Sequence, residues 1–296
     1  MSSSEKSSTP ALKPSAQRAQ KPHQSKSPGL SRKDQEEVED RAKLRPVAVY
    51  EIVRKEGEDE LSRPTSSLIW SGFAAGLSIG FSVLTQAALR DHLPDAPWRP
   101  LVECWGYSVG FIIVILARQQ LFTEITLSAV LPFLARPGLS GGLSVLRLWC
   151  LVFLANMAGT ALFGLALATD LFYAPGVQEA ALAIARETTS HSASATFMHG
   201  IMAGWLIATI VWLLPSAQSA SFLVIALITY LIALFGLAHI VAGSVEAFLL
   251  VFKGELGVFQ ALWQFFVPAL AGNIIGGAAL FALISYAQIA DELFEN

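Results

Sequence analysis

A chain of 296 residues that is 53% hydrophobic and 15% charged is too apolar for a soluble domain, in which about 25% of residues are charged. A mean hydropathy of +0.52 and a net charge of −3 point to an integral membrane protein and away from a nucleic-acid partner. No HExxH, GxxxxGK[ST] or GxSxG run is present, so metal, nucleotide and nucleophilic-serine chemistry are not expected. The chain reads as a non-enzyme with no cofactor.

Residues 1–45 are rich in Ser, Lys, Pro and Gln, with an acidic cluster at 34–40. They cannot bury enough apolar surface to order themselves, and a disordered cytoplasmic tail is expected. No apolar run follows Met1, so this is not read as a secretory signal. Residues 46–63 form an expected amphipathic helix, with Val49, Ile52 and Val53 on one side and Arg54, Lys55 and Glu58 on the other. Such a helix can lie on the membrane surface or dock on a neighbouring subunit.

Residues 64–290 are the expected channel domain, followed by a short tail at 291–296. Charge-free runs give a first span over 64–89, an interrupted second over 100–135 and a third over 148–169. Residues 188–245 hold no Asp, Glu, Lys or Arg. At about 1.5 Å per residue that run is too long for one crossing of a ~30 Å core. Pro215 and the small polar residues after it divide it into a fourth span, about 193–214, and a fifth from about 221. The sixth covers 256–290. Six spans place both termini on one side. Five Lys and Arg flank the inner ends against four at the outer ends, which puts the termini in the cytoplasm of a cell inner membrane.

The second span is broken by Arg118 and the stretch Gln119-Gln-Leu-Phe-Thr-Glu-Ile-Thr126. A charge at mid-helix costs about 2.5–3.5 kcal/mol in a bilayer, so the island belongs where it faces protein or water. Asn156-Met-Ala-Gly159 in the third span has a counterpart in Asn273-Ile-Ile-Gly276 in the sixth. Gly72 and Gly76 in the first pair with Gly200 and Gly204 in the fourth. The fold expected is all-α: six transmembrane helices arranged as two inverted three-helix repeats, with helices 2 and 5 broken. The fifth span carries the matching disturbance, with Gly236, His239, Gly243 and Glu246 in an apolar run. The offset of 117 between the two Asn residues places Phe122 opposite His239.

His239 is the ionisable group deepest in the second half. It can lend charge or a proton to a passing anion, or hold a backbone group at the break. His191 falls in a loop and His199 on a helix-packing face. Thr123 can donate to a substrate oxygen or cap a half-helix. Leu121 and Phe122 make either an apolar constriction or ordinary packing. Glu124 suits the first turn of the second half-helix better than an ion pair with Arg118, which lies about 240° away on an unbroken helix. Cys104 and Cys150 sit in apolar runs as small buried hydrophobes. No Cys or second His stands near His239 to hold a metal.

Leu121-Phe122-Thr123 in a broken second span, His239 in the fifth, and Ala271-Gly272-Asn273-Ile274-Ile275-Gly276-Gly277 in the sixth resemble the formate–nitrite transporter family. The resemblance covers 66–288. It implies an aquaporin-like protomer, a homo-pentamer with one pore per subunit in the lipid bilayer, and small monovalent anions such as formate, nitrite or hydrosulfide as substrates. Thr123 and His239 would be the central pore pair, Leu121 and Phe122 the constriction, and Asn273 a further pore residue. Four positions depart from the family pattern: Gly204 and Gly243 stand where Asn is common, Thr188 where a vestibule Lys is usual, and Glu124 where small residues are common. A pore for a small neutral solute and a non-transporting scaffold are the competing readings. The paired Asn-Pro-Ala runs of aquaporins are absent.

Overall fold

The computed structural model describes residues 44–169, 171 and 175–294, together with Ser31, and side chains as far as residue 290. Most of the expected tail over 1–45, and the side chains of 291–296, lie outside the described residues. Leu44–Asn296 forms one compact unit. Among the described residues all regular structure is helical.

The helices are α1 (Pro46–Ser62), α2 (Thr65–His92), α3 (Arg99–Leu116), α4 (Phe122–Ser128), α5 (Val130–Ala135), α6 (Leu139–Ala168), α7 (Pro175–Thr189), α8 (Ala193–Ala217), α9 (Ser221–Leu234), α10 (Ile240–Phe252) and α11 (258–294). Five helical runs are long and apolar enough to cross a membrane: Thr65–His92, Arg99–Leu116, Leu139–Ala168, Ala193–Leu234 and Val258–Ala290. The fourth run is really α8 and α9, parted by a short tight turn over Gln218–Ala220. Helix α8 continues through Pro215 and ends only at Gln218, whose φ is 42°. The turn falls within the polar run after Pro215 and α9 starts at Ser221, while the fourth span runs three residues past the expected end at 214.

Membrane helices gain little from burying apolar surface, since lipid is as apolar as a core; they gain from close backbone packing. That explains the small residues. A Cβ on Gly76 would lie 2.9 Å from the Gly159 Cα, so α2 and α6 touch backbone to backbone. A Cβ on Gly204 would lie 2.8 Å from the Asn273 Cα, and brings α8 and α11 together in the same way. An Asn at position 204 has no room, which gives a packing reason for that departure. Gly243 is held by the Phe265 ring, which a Cβ there would strike.

Helix α1 seats Val49, Tyr50 and Val53 on its own chain, against Leu127, Leu131, Ala208, Val211 and Phe281. Pro132 has no N–H to give the Ser128 carbonyl, so the helix after the first break divides into α4 and α5. Gly57 of α1 lies directly on that carbonyl, where any side chain would collide. Of the two cysteines, Cys104 is buried as expected, but Cys150 faces outward on α6.

Candidate functional site

Two helices stop mid-chain and restart after a short gap, and the two gaps share one construction. At the end of α3, the Arg118 N–H donates to the Ile115 carbonyl (3.1 Å) and the Gln119 N–H to Val114 (3.0 Å). At the end of α9, the Gly236 N–H donates to Ala233 (3.0 Å) and the Leu237 N–H to Ile232 (2.9 Å). Both are helix ends closed by a residue in the left-handed region, Arg118 at φ 53° and Gly236 at φ 59°. The chain then runs extended into Leu121 (φ −100°, ψ 125°) and His239 (φ −95°, ψ 119°), each of which begins the next helix.

Breaking a helix orphans backbone groups that lipid cannot satisfy. One asparagine repairs each gap. The Asn156 amide donates to the Gln120 carbonyl (2.9 Å) and the Gly72 carbonyl (2.7 Å), and accepts from the Phe122 N–H (2.8 Å). The Asn273 amide donates to Ala238 (2.8 Å) and Gly200 (2.9 Å), and accepts from the Ile240 N–H (2.8 Å). Both asparagines are fully buried. Asn273 was expected to line the pore; its amide is spent on backbone, and it positions the gap instead. The bonding also corrects the register. Phe122 corresponds to Ile240, and Leu121, not Phe122, stands opposite His239.

The gaps meet at a hydrogen bond of 2.7 Å between Thr123 Oγ1 and His239 Nε2. The Ala242 N–H donates to His239 Nδ1 (3.1 Å), so Nδ1 carries the lone pair. The ring proton then sits on Nε2 and is donated to Thr123. The Thr123 hydroxyl keeps its own hydrogen for a further acceptor. Phe111 presses edge-on against the imidazole, with centroids 4.9 Å apart. Nothing in the sequence pattern singled out Phe111 from the apolar residues of α3. Phe122 turns its ring onto Phe153 and Trp149 of α6, at 5.1 and 6.1 Å. It lines neither cavity described below.

Two cavities approach this pair. The larger, about 430 Å³, is walled by α1, the first gap, α4 and the end of α8, and Leu121 and Ile125 belong to its wall. The smaller, about 120 Å³, has His239 in its wall, with Gln86, Tyr107, Glu187, Thr188, His191 and Glu246. His191 meets His199 ring to ring at 5.0 Å. Arg90 holds Glu187 (2.9 Å) and Glu103 (2.6 Å) beside the smaller cavity.

The larger cavity is acidic. Glu56, Asp59, Glu60 and Glu124 face Arg63 and Arg118. Glu124 occupies the first turn of α4, while Arg118 lies 3.9 Å from Glu56 and is not paired with Glu124. Glu60 accepts from the Ser128 hydroxyl at 2.5 Å. Withdrawal from water raises the Glu60 carboxyl to about 7, against the downward pull of that hydroxyl. Glu60 does not stand out in the sequence, since a carboxylate's neighbours across helices leave no local pattern; Glu246 shows there only as a polar interruption of the fifth span.

Apolar helices long enough to span a bilayer, packed around a narrow polar contact with a cavity on each side, define a membrane transport protein. The formate/nitrite transporter family model matches residues 47–287. The chain is 44% identical over 255 residues to the inner membrane protein YfdC of Escherichia coli K12, covering 86% of this chain and 82% of that one. It is 27% identical over 250 residues to the formate channel FocA of Haemophilus influenzae, covering 73% of this chain and 84% of that one. A solved pentameric formate channel with formate bound superposes at a TM-score of 0.65 with 22% identity, covering 76% of this chain and 97% of the other. The chain belongs to the formate/nitrite transporter family. Its members are channels and transporters, so this is a transport protein and not an enzyme.

Proposed function

We propose that the protein is an inner-membrane channel for small monovalent weak-acid anions of the formate and nitrite kind, working as a homo-pentamer with a pore in each subunit. The relatives support this reading: two are formate channels by name, at 26% and 27% identity, and the fold neighbour is a pentamer. In the proposed arrangement six spans form two inverted three-helix repeats, and both termini are cytoplasmic. The pore passes from the larger cavity past Leu121, through Thr123 and His239 beside Phe111, to the smaller cavity.

One observation carries the proposal: the Thr123–His239 hydrogen bond joins the two helix gaps, between the cavities. A bare anion cannot cross an apolar neck cheaply. The Thr123 hydroxyl can donate to a substrate oxygen, and the imidazole fixes that hydroxyl by occupying its acceptor side. His239 supplies no fixed positive charge in this tautomer, so the substrate crosses neutralised, as the weak acid.

Uptake of formate, nitrite and hydrosulfide into proteoliposomes at two pH values tests the proposal. Wild-type protein should take up at least one of them, faster at the lower pH. His239→Ala should remove the pH-dependent flux while leaving the assembly intact. Osmotic swelling without anion uptake would replace the proposal with a neutral-solute pore.

A further inference from the structure

The larger cavity is rich in acceptors, which is unexpected at the mouth of an anion pathway. Its wall carries four carboxylates against two guanidinium groups, and Arg118 is 85% exposed. Gln120, only 6% exposed, lines the same cavity, and its Oε1 has no hydrogen-bond partner; neither has Oε1 of Gln119 beside it. A site built of unmatched acceptor oxygens selects a species that brings a proton. Glu124 is the carboxylate nearest in sequence to the neck. It follows Thr123 directly, and successive helical residues point about 100° apart, so Thr123 meets His239 while Glu124 faces the cavity.

We propose that Glu124 exchanges a proton with the weak acid at the entrance to the neck, in the cavity between α1 and the first gap. This rests on the channel function proposed above. For formate, the Glu124 carboxyl O–H breaks, a new O–H forms on the formate oxygen, and Glu124 is left as carboxylate. The neutral acid enters the neck, and hydronium from the cavity water reprotonates Glu124. The reverse step takes the proton from an acid leaving by this mouth. The charged and titratable groups facing Glu124 are Glu56, Asp59 and Glu60 of α1, Arg63 just after it and Arg118 of the gap; α8 and α9 contribute Val211, Leu214, Pro215 and Ser221. Glu60 shares the cavity wall with Glu124 and bonds the Ser128 hydroxyl. The matching position on α10 is Ala242, and the carboxylates at the other mouth, Glu187 and Glu246, stand elsewhere in the smaller cavity's wall.

The test uses the full chain in proteoliposomes with formate as probe, at about pH 5 and about pH 7, with Glu124→Gln and Glu124→Asp beside wild type. Glu124→Gln should lower uptake about tenfold at the higher pH and less than about twofold at the lower, where solution supplies the proton. Glu124→Asp should restore most of the flux. Infrared difference spectra on adding formate should show a carboxyl C=O band that Glu124→Gln removes. Uptake by Glu124→Gln equal to or above wild type at both pH values would overturn the proposal, since the carboxyl would then only repel anions. An equal fall at both pH values without rescue by Asp, or an unchanged infrared band, would overturn it too. If wild type carries no anion at either pH, the channel function itself fails.

Discussion

The first and second helix gaps are built to one backbone plan and carry different chemistry. Each has the same helix stop, the same left-handed residue, the same extended link and the same asparagine repair, displaced by 118 positions from Arg118 to Gly236 and from Leu121 to His239. The first gap presents Leu121, with Glu124 in the turn beyond; the second presents His239, with Ala242 there. The comparison separates what a mid-membrane gap needs from what it is used for. The asparagine and the helix stop are needed wherever backbone is left unpaired away from water. The side chain that opens the next helix is free to vary.

The largest expected effect tests the shared part. Asn156→Ala and Asn273→Ala each strand two backbone groups of a gap, a carbonyl and an N–H, at about 1–3 kcal/mol per buried orphan. Each should lose on the order of 4 kcal/mol and give little folded oligomer after detergent extraction. A loss in one variant alone would show that the gaps are not equivalent. His239→Leu comes next, making the second gap like the first. It orphans the Ala242 N–H and frees Thr123, costing about 1–2 kcal/mol, and should abolish pH-dependent formate uptake while the oligomer persists.

Smaller effects sharpen the comparison at Arg118 and Gly236. A side chain in the left-handed region costs about 1 kcal/mol. Gly236→Ala meets no atom within 4 Å, so its cost of about 1 kcal/mol should be purely conformational. Arg118→Gly should stabilise by a similar amount, read as a higher midpoint in thermal denaturation. The smallest effect belongs to the flank that only the first gap has. Glu60 is raised to about 7 in the folded state, so the fold binds its proton more tightly than the unfolded chain does. Its contribution is best below the unfolded carboxylate value of about 4.5 and is lost as pH rises toward 7. Wild type should therefore melt lower as pH rises through that window, and Glu60→Gln should flatten the trend.

Much of this was legible in the chain. The apolar runs, their lengths, the interruption at 118–126 and the paired Asn and Gly residues follow from local composition, because lipid imposes one rule on every residue of a span. Other features were not legible. An offset counted between asparagines misplaced the register by one, because each asparagine sits on a different helix from the gap it repairs. Phe122, expected in the constriction, turns to α6, and Phe111, one apolar residue among many, meets the imidazole.

The sequence by itself determined that the chain is a helical membrane protein of this family, where its helices break, and that Thr123 and His239 are its polar insertions. Only the tertiary structure decided that those two side chains touch, that both asparagines serve backbone, and that four carboxylates share one cavity. The reason is range. Hydropathy and helix interruption are properties of neighbours along the chain, whereas a hydrogen bond between residues 116 positions apart exists only once the packing of several helices has fixed where each side chain points.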